Sequence, residues 1–157
     1  HTLTATARDY ENTTSTSITV AVSNASASSV DFHINGVSNL SPNMTLGDSF
    51  SVTIHPELYA CTNCTTSPPT TVLAFYTQFY PNDPPYTLPW ILDNAPRYGE
   101  HTLSVPSLTL RQRGSVQWSG PATPAGHYLF VAKIDPNNSE SELDEGNNGF
   151  LSEFNIK

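Results

Sequence analysis

Apolar and polar residues alternate with a period of two along most of this chain, a pattern typical of strands with one buried face. In one such stretch Phe50, Val52 and Ile54 lie on one side, and Ser51 and Thr53 lie on the other. No convincing 3.6-residue period occurs, so the chain is predicted to be all-β. The same alternation predicts strands at Leu3 to Ala7, Ile18 to Val22, Leu73 to Phe79, Tyr128 to Ile134 and Phe150 to Ile156.

Short strands separated by Pro, Asn and Gly favour two packed antiparallel sheets with Greek-key connections, because each strand then buries one face. We therefore predict an immunoglobulin-like β-sandwich. Phe75, Trp118 and Phe130 are expected to lie between its sheets. The stretches 58–70 and 81–100 are Pro-rich or polar, and we expect both to be surface loops.

The first two strands form a separate organisational unit in this interpretation. A turn at Glu11 to Thr14 joins them into a hairpin, and an isolated two-stranded hairpin is marginally stable at best. We expect residues 1–29 to add a strand to a neighbouring domain or copy, while residues 30–157 form the complete sandwich. The assembly strand carries an apolar strip made of Ile18, Val20 and Val22.

The segment 125–148 contains a strand, a turn and an acidic, Asn-rich loop that together point to a family. The residues that form the motif are Asp135, Pro136, Asn137, Glu142, Glu145, Asn147 and Asn148. This arrangement resembles the last hairpin of CARDB modules, the cell-adhesion-related domains of bacteria. Further resemblances lie at 39–56, 72–80 and 101–128, and residues 1–24 resemble the final hairpin of a separate bacterial Ig-like domain. The resemblance implies a sandwich fold and a role in adhesion or spacing.

Composition and charge exclude some partners and favour an extracellular location. The 157 residues include 6 Lys plus Arg and 14 Asp plus Glu, a net charge of -8 that repels a nucleic-acid backbone. Charged residues make up 13%, against an ordinary share of about 25%, and Ser, Thr, Asn and Pro are abundant. No apolar run approaches the roughly 18 residues of a membrane span.

The two cysteines, Cys61 and Cys64, have the spacing of half a zinc site or of a redox pair. Zinc requires four ligands, and no second pair follows at a suitable spacing. A redox pair needs a helix N-terminus that an all-β chain does not offer. We therefore predict a local disulfide, which fits an oxidising compartment. Candidate N-glycosylation sequons occur at Asn12, Asn24, Asn39, Asn43, Asn63 and Asn137.

Two cation sites are conceivable from the sequence. A mature N-terminal His1 could chelate copper as in lytic polysaccharide monooxygenases, and His33, His55, His101 and His127 are candidate second ligands. The loop 135–146 offers oxygen ligands for Ca²⁺ at Asp135, Asn137, Ser139, Glu142, Asp144 and Glu145. It is not an EF-hand, because Glu140 replaces the required Gly and Gly146 replaces the bidentate Glu.

Aromatic residues cluster along a Pro-rich segment and suggest a second candidate function. Tyr76, Tyr80, Tyr86 and Trp90 could stack on sugars as in carbohydrate-binding domains. Phe79 alternates with Tyr76 and Tyr80 and is expected in the core. No motif of a hydrolase, metalloprotease or phosphate-binding loop occurs, so we predict a non-enzymatic module. A structural or adhesive role is the leading hypothesis, a carbohydrate-binding domain the second and a copper oxidase the third.

Overall fold

The computed structural model describes residues 2–5, 18–21, 29–79 and 87–157, with the backbone alone described for the first two ranges. Strands dominate these residues, as the alternation predicts. In chain order the elements are β1 (Thr2–Ala5), β2 (Ile18–Ala21), β3 (Val30–Ser38), β4 (Asn43–Met44), β5 (Ser49–Cys61), β6 (Thr70–Gln78), α1 (Leu88–Asn94), β7 (Tyr98–Val105), β8 (Val116–Pro121), β9 (Gly126–Ile134) and β10 (Gly149–Ile156).

Two sheets form the sandwich. One has the strand order β4-β10-β9-β6-β7, and the other has the order β3-β5-β8. All ladders within the two sheets are antiparallel except the two-residue pairing of β4 with β10, which is parallel. The chain changes sheet on entering and on leaving β4, between β5 and β6, between β7 and β8 and between β8 and β9, so strands distant in sequence become neighbours. The predicted all-β sandwich is confirmed.

The N-terminal strands β1 and β2 pair with each other in a sheet of their own. The pairing is antiparallel, with Thr2 opposite Ala21 and Ala5 opposite Ile18, as expected for a hairpin. The predicted turn at 11–14 lies outside the described residues, as does Val22. The proposed division of the chain at residue 29 stays a prediction.

The principal core lies between the two sheets and is rich in aromatic side chains. Trp118 of β8 and Phe130 of β9 are fully buried there, with ring centroids 5.3 Å apart. The inward position predicted for Phe130 is confirmed, and Tyr128, Ala132 and Ile134 at alternate positions of the same strand also belong to this core. Burying a large apolar side chain contributes roughly 1.5–3 kcal/mol, so this cluster contributes strongly to stability.

A second core covers the outer face of the five-stranded sheet. Its fully buried members are Phe75 of β6, Val131 of β9 and Ile91 of α1. The expected position of Phe75 between the sheets is therefore wrong. Phe75 lies on the opposite face of β6, and Tyr76 occupies the inward position. Because β6 is buried on both faces, its sequence does not distinguish one face from the other.

The predicted surface loop at 81–100 is wrong for residues 88–94, which form α1, and for residues 98–100, which begin β7. Pro89 stands in the first turn, where its missing N–H costs nothing, and Ile91 points into the second core. A helix of two turns is too short to show a clear 3.6-residue period. Its apolar residues therefore resemble a loop when considered in sequence alone.

The predicted loop at 58–70 begins later than expected, because β5 continues to Cys61. Leu58 is fully buried in the principal core. Register shifts occur in the β3–β5 pairing between Asp31 and Phe32 and again between Ile34 and Val37. Such bulges break a strict period of two, so the alternation underestimates the length of the strand.

Candidate functional site

The acidic loop after β9 begins with a buried aspartate. Asp135 has a φ of 43°, in the left-handed region that Asp and Asn tolerate better than other side chains. Its Oδ1 accepts hydrogen bonds from the amide (3.1 Å) and hydroxyl (2.6 Å) of Ser139, and its Oδ2 accepts one from the Glu140 amide at 2.9 Å. Both oxygens of Asp135 thus hold the turn, a structural role in which Ser139 takes part.

The loop then runs along the edge of β3, to which it adds short parallel pairing. The Val30 amide donates to the carbonyl of Ser141 at 3.3 Å, and the Leu143 amide donates to the carbonyl of Val30 at 2.8 Å. Val30 and Glu142 form an isolated parallel bridge. The start of this edge strand is therefore covered, which satisfies backbone groups that an open edge would leave to other chains.

Glu142 anchors this docking with its side chain. Its Oε2 accepts a hydrogen bond from the Phe32 amide at 2.9 Å, and its Oε1 accepts one from Nδ2 of Asn148 at 2.8 Å. The same Nδ2 lies 3.2 Å from Oε2 of Glu145. Burial is the largest cause that raises the pKa of Glu142 to about 7; the charges of Glu145 and Asp135 also raise it, and the hydrogen bonds from Phe32 and Asn148 lower it.

Two asparagines complete the cluster. Asn148 is 1% exposed, and its Oδ1 is buried without a hydrogen-bond partner. Nδ2 of Asn147 donates to Oδ1 of the buried Asp31 at 2.9 Å, while its own Oδ1 is also buried and unpartnered. The sequence motif contains these asparagines and Glu142. It contains no sign of their partners Asp31 and Phe32, which lie about 110 residues earlier in the chain.

The oxygen ligands predicted for Ca²⁺ are not gathered at one point. Asp135 and Ser139 bond each other, Asn137 is exposed, and Oδ1 of Asp144 accepts the Gly146 amide at 2.8 Å. Of the predicted ligands, only Glu142 and Glu145 converge on one atom, since both accept a hydrogen bond from Nδ2 of Asn148. In the part of the chain that the structure describes, no group of three or more His, Cys, Asp or Glu residues is placed to hold a metal ion.

Cys61 and Cys64 form a disulfide with a Cα–Cα distance of 5.5 Å. It closes a short loop at the end of β5, where the Thr62 amide donates to the carbonyl of Ser29 at 2.9 Å. This is the pairing that the spacing predicts. Of the candidate glycosylation sites, Asn39, Asn43, Asn63 and Asn137 are exposed, and Asn12 and Asn24 lie outside the described residues. Occupancy of these sites stays a prediction.

The prediction that Tyr76 is exposed and stacks on sugars is wrong. This residue is 1% exposed, and its hydroxyl lies 2.7 Å from the carbonyl of Pro121 and 2.8 Å from that of Thr123. Burial raises the pKa of Tyr76. Trp90 is 40% exposed on α1, whereas Tyr80 and Tyr86 lie outside the described residues. His1, the proposed copper ligand, lies outside them as well.

Comparison with known proteins shows the fold. No family model and no curated protein matches the chain. The solution structure of the CARDB domain of a Pyrococcus furiosus protein matches with a TM-score of 0.52 at 18% identity, covering 82% of this chain and 94% of that domain. The crystal structure of that domain, in complex with di-metal ions, matches with a TM-score of 0.51 at 16% identity, covering 83% of this chain and 87% of that one.

A domain of a Methanosarcina acetivorans protein described as a cell surface protein has the same fold. It matches with a TM-score of 0.52 at 17% identity and covers 82% of this chain and 93% of that domain. The resemblance to CARDB modules predicted from the sequence is thus confirmed at the level of the fold. Among the helices of the described residues, none has the length and apolar character needed to cross a membrane.

Proposed function

We propose that this chain is a non-enzymatic structural or adhesive module of an extracellular or cell-surface protein. The observation that carries the proposal is the CARDB-type sandwich, accompanied by an N-terminal pair of strands that forms a sheet of its own. The likeness to a domain described as part of a cell surface protein supports the location. The disulfide supports an oxidising compartment.

The proposed mode of action is strand addition by residues 1–29 to a neighbouring copy or an adjacent Ig-like domain. Two strands of four residues cannot bury enough surface to be stable alone. The strip of Ile18, Val20 and Val22 needs a partner surface, and pairing with an open sheet edge supplies both hydrogen bonds and burial.

Among the described residues, two outer strands of the sandwich have a further strand paired to them on one side only and could receive such a strand on the other. At one side, the loop around Glu142 covers the start of β3, and β4 covers the end of β10. At the other side, β7 and β8 are the outermost strands of their sheets in the described part of the chain. We propose that one of these two strands is the receiving edge.

Analytical ultracentrifugation over a range of concentrations tests the proposal. We expect the full chain to associate and a variant lacking residues 1–24 to stay a folded monomer. Val20→Pro should weaken association because proline removes a ladder hydrogen bond, whereas Val20→Ile should preserve it. If the truncated chain unfolds, the hairpin belongs to its own core. A full chain that stays monomeric at high concentration would also contradict assembly through this strand.

A further inference from the structure

An exposed aromatic ring lies in a small patch on the outer face of the three-stranded sheet. His33 of β3 points to this face, because its neighbours Phe32 and Ile34 are buried in the principal core. Its ring meets the ring of Tyr59 of β5 edge to face, with the centroids 6.0 Å apart. The guanidinium carbon of Arg111, from the loop between β7 and β8, lies 3.9 Å from the centroid of the same Tyr59 ring. We call these three residues the Tyr59 patch.

The backbone is irregular at two of the three residues. The register of the β3–β5 pairing skips Tyr59, because its neighbours Leu58 and Ala60 pair with consecutive residues of β3. Such a bulge changes the direction of a side chain. Arg111 has a φ of 63°, in the left-handed region that glycine adopts freely and long side chains adopt at a cost. Residues held in strained conformations cluster at functional sites, so this outlier points to a function for the stacked guanidinium.

The positive charge of the Tyr59 patch is not neutralised by a carboxylate in the part of the chain that the structure describes. No ion pair there includes Arg111. The carboxylate of Glu57, which lies opposite His33 in the β3–β5 register, is 7% exposed and accepts a hydrogen bond from Nδ2 of Asn35 at 2.6 Å. A guanidinium that stacks on a ring keeps its N–H edge directed sideways, where a planar anion can accept two hydrogen bonds.

We propose that the Tyr59 patch binds an acidic sugar, a ring that carries a carboxylate, within a glycan chain. The carboxylate pairs with the N–H edge of Arg111. Tyr59 is still 43% exposed, so the open part of its ring packs against the C–H face of the sugar. A ring nitrogen of His33 bonds a sugar hydroxyl. This site includes none of the aromatic residues that the sequence suggested for sugar stacking.

The surroundings of the patch favour a sugar over a protein as the partner. A specific protein interface buries about 800 Å² on each partner around an apolar core. The outward side chains of the three-stranded sheet are polar elsewhere, among them Ser51, His55 and Gln117, and supply no such core. One ring with two donors is enough for a single sugar unit. The proposal goes beyond assembly and does not depend on strand addition by residues 1–29.

Calorimetric titration of the full chain with trigalacturonic acid tests the proposal, and the fully methyl-esterified trimer is the matched neutral ligand. We expect saturable binding of the acid and about 10-fold weaker binding of the ester, because esterification removes the charge that pairs with Arg111.

Two variants and a control locate the site. Arg111→Gly should weaken binding of the acid by about 10-fold or more, and glycine fits the backbone at this φ, so circular dichroism should show the parent fold. Tyr59→Ser removes the exposed ring and should weaken binding as well. Lys157→Gln removes the same charge just after β10, on the other sheet, and should bind as the parent chain does.

Four results would overturn the proposal. One is the absence of binding to trigalacturonic acid, and another is equal binding of the acid and its ester. The third is equal affinity of the Arg111→Gly and Lys157→Gln variants for the acid. The fourth is a hexaglutamate peptide that binds as tightly as the trimer, which would assign the patch to the carboxylates of a protein partner.

Discussion

The two sheets of this sandwich differ in what covers their outer faces. On the five-stranded sheet, Leu73, Phe75, Leu129 and Val131 point outward and are buried with Ile91 of α1. On the three-stranded sheet the outward side chains are polar, among them Ser51, Thr53, His55, Gln117 and Ser119. A covering helix thus allows one sheet to be apolar on both faces, whereas the other keeps the alternation of a half-exposed sheet.

The polar face is held together by side-chain hydrogen bonds instead of burial of apolar surface. Oγ1 of Thr53 accepts from Nδ2 of Asn39 at 3.1 Å and from Nε2 of Gln117 at 2.8 Å. His55 bonds the Ser38 hydroxyl at 2.9 Å. Hydrogen bonds of this kind contribute about 0.5–1.5 kcal/mol each, less than a buried aromatic or branched side chain. The two faces should therefore respond very differently to substitution.

The sharpest contrast is expected from one charge placed on each face. Val131→Asp puts an unpaired carboxylate into the second core and should lower the free energy of unfolding by more than about 4 kcal/mol. Ser51→Asp puts the same group on the exposed face and should change it by about 1 kcal/mol or less. Urea denaturation of both variants measures the difference, and similar losses would contradict the assignment of the two faces.

Shortening the buried side chain of Ile91 tests whether α1 stabilises the five-stranded sheet. Ile91→Ala should cost about 2–5 kcal/mol, because the side chain is fully buried and leaves a cavity. Asp93→Ala on the exposed side of α1 is the control and should stay within about 0.5 kcal/mol. If both variants unfold at the same urea concentration as the parent, α1 does not cover a core.

A third experiment concerns Tyr76, the inward neighbour of Phe75 on β6. Tyr76→Phe keeps the ring but removes the hydroxyl that bonds the carbonyls of Pro121 and Thr123, and it should cost about 1–3 kcal/mol. The control is Tyr98→Phe, since Tyr98 is half-buried and its ring stacks on Tyr76. Equal free energies of unfolding for the two variants would place the Tyr76 hydroxyl in solvent.

The smallest effect is expected at Thr53. Thr53→Val preserves the β-branched shape and removes the acceptor shared by Asn39 and Gln117, so a loss of about 0.5–1.5 kcal/mol is expected. Ser51→Val, at an exposed outward position of the same strand, is the matched control. A Thr53→Val variant as stable as this control in urea would mean that the hydrogen bonds of the polar face contribute nothing.

Much of the fold could be predicted from local pattern. The alternation from Tyr128 to Ile134 predicted β9 with Phe130 between the sheets, and the structure buries Phe130 there. The same reasoning failed on β6, where Phe75 and Tyr76 are both buried. A run without polar residues predicts a strand, but it contains no information about which face meets which core.

For the candidate site, the motif of Asp135, Glu142, Glu145 and Asn148 was visible in the sequence, but its arrangement was not. Asp135 resembles a metal ligand in sequence, and in the structure it holds the turn at Ser139 and Glu140. Glu142 and Asn147 differ from it because their partners Phe32 and Asp31 lie on β3, far away in the chain. No local pattern reports such contacts.

The sequence by itself determined what depends on near neighbours: the strands with alternating faces, the all-β class and the pairing of Cys61 with Cys64. Only the tertiary structure decided which face of β6 packs under α1, and that Glu142 fastens the acidic loop to β3. The physical reason is the range of the interactions. Backbone geometry and short loops are set within a few residues, whereas burial and charge crowding depend on segments that folding brings together.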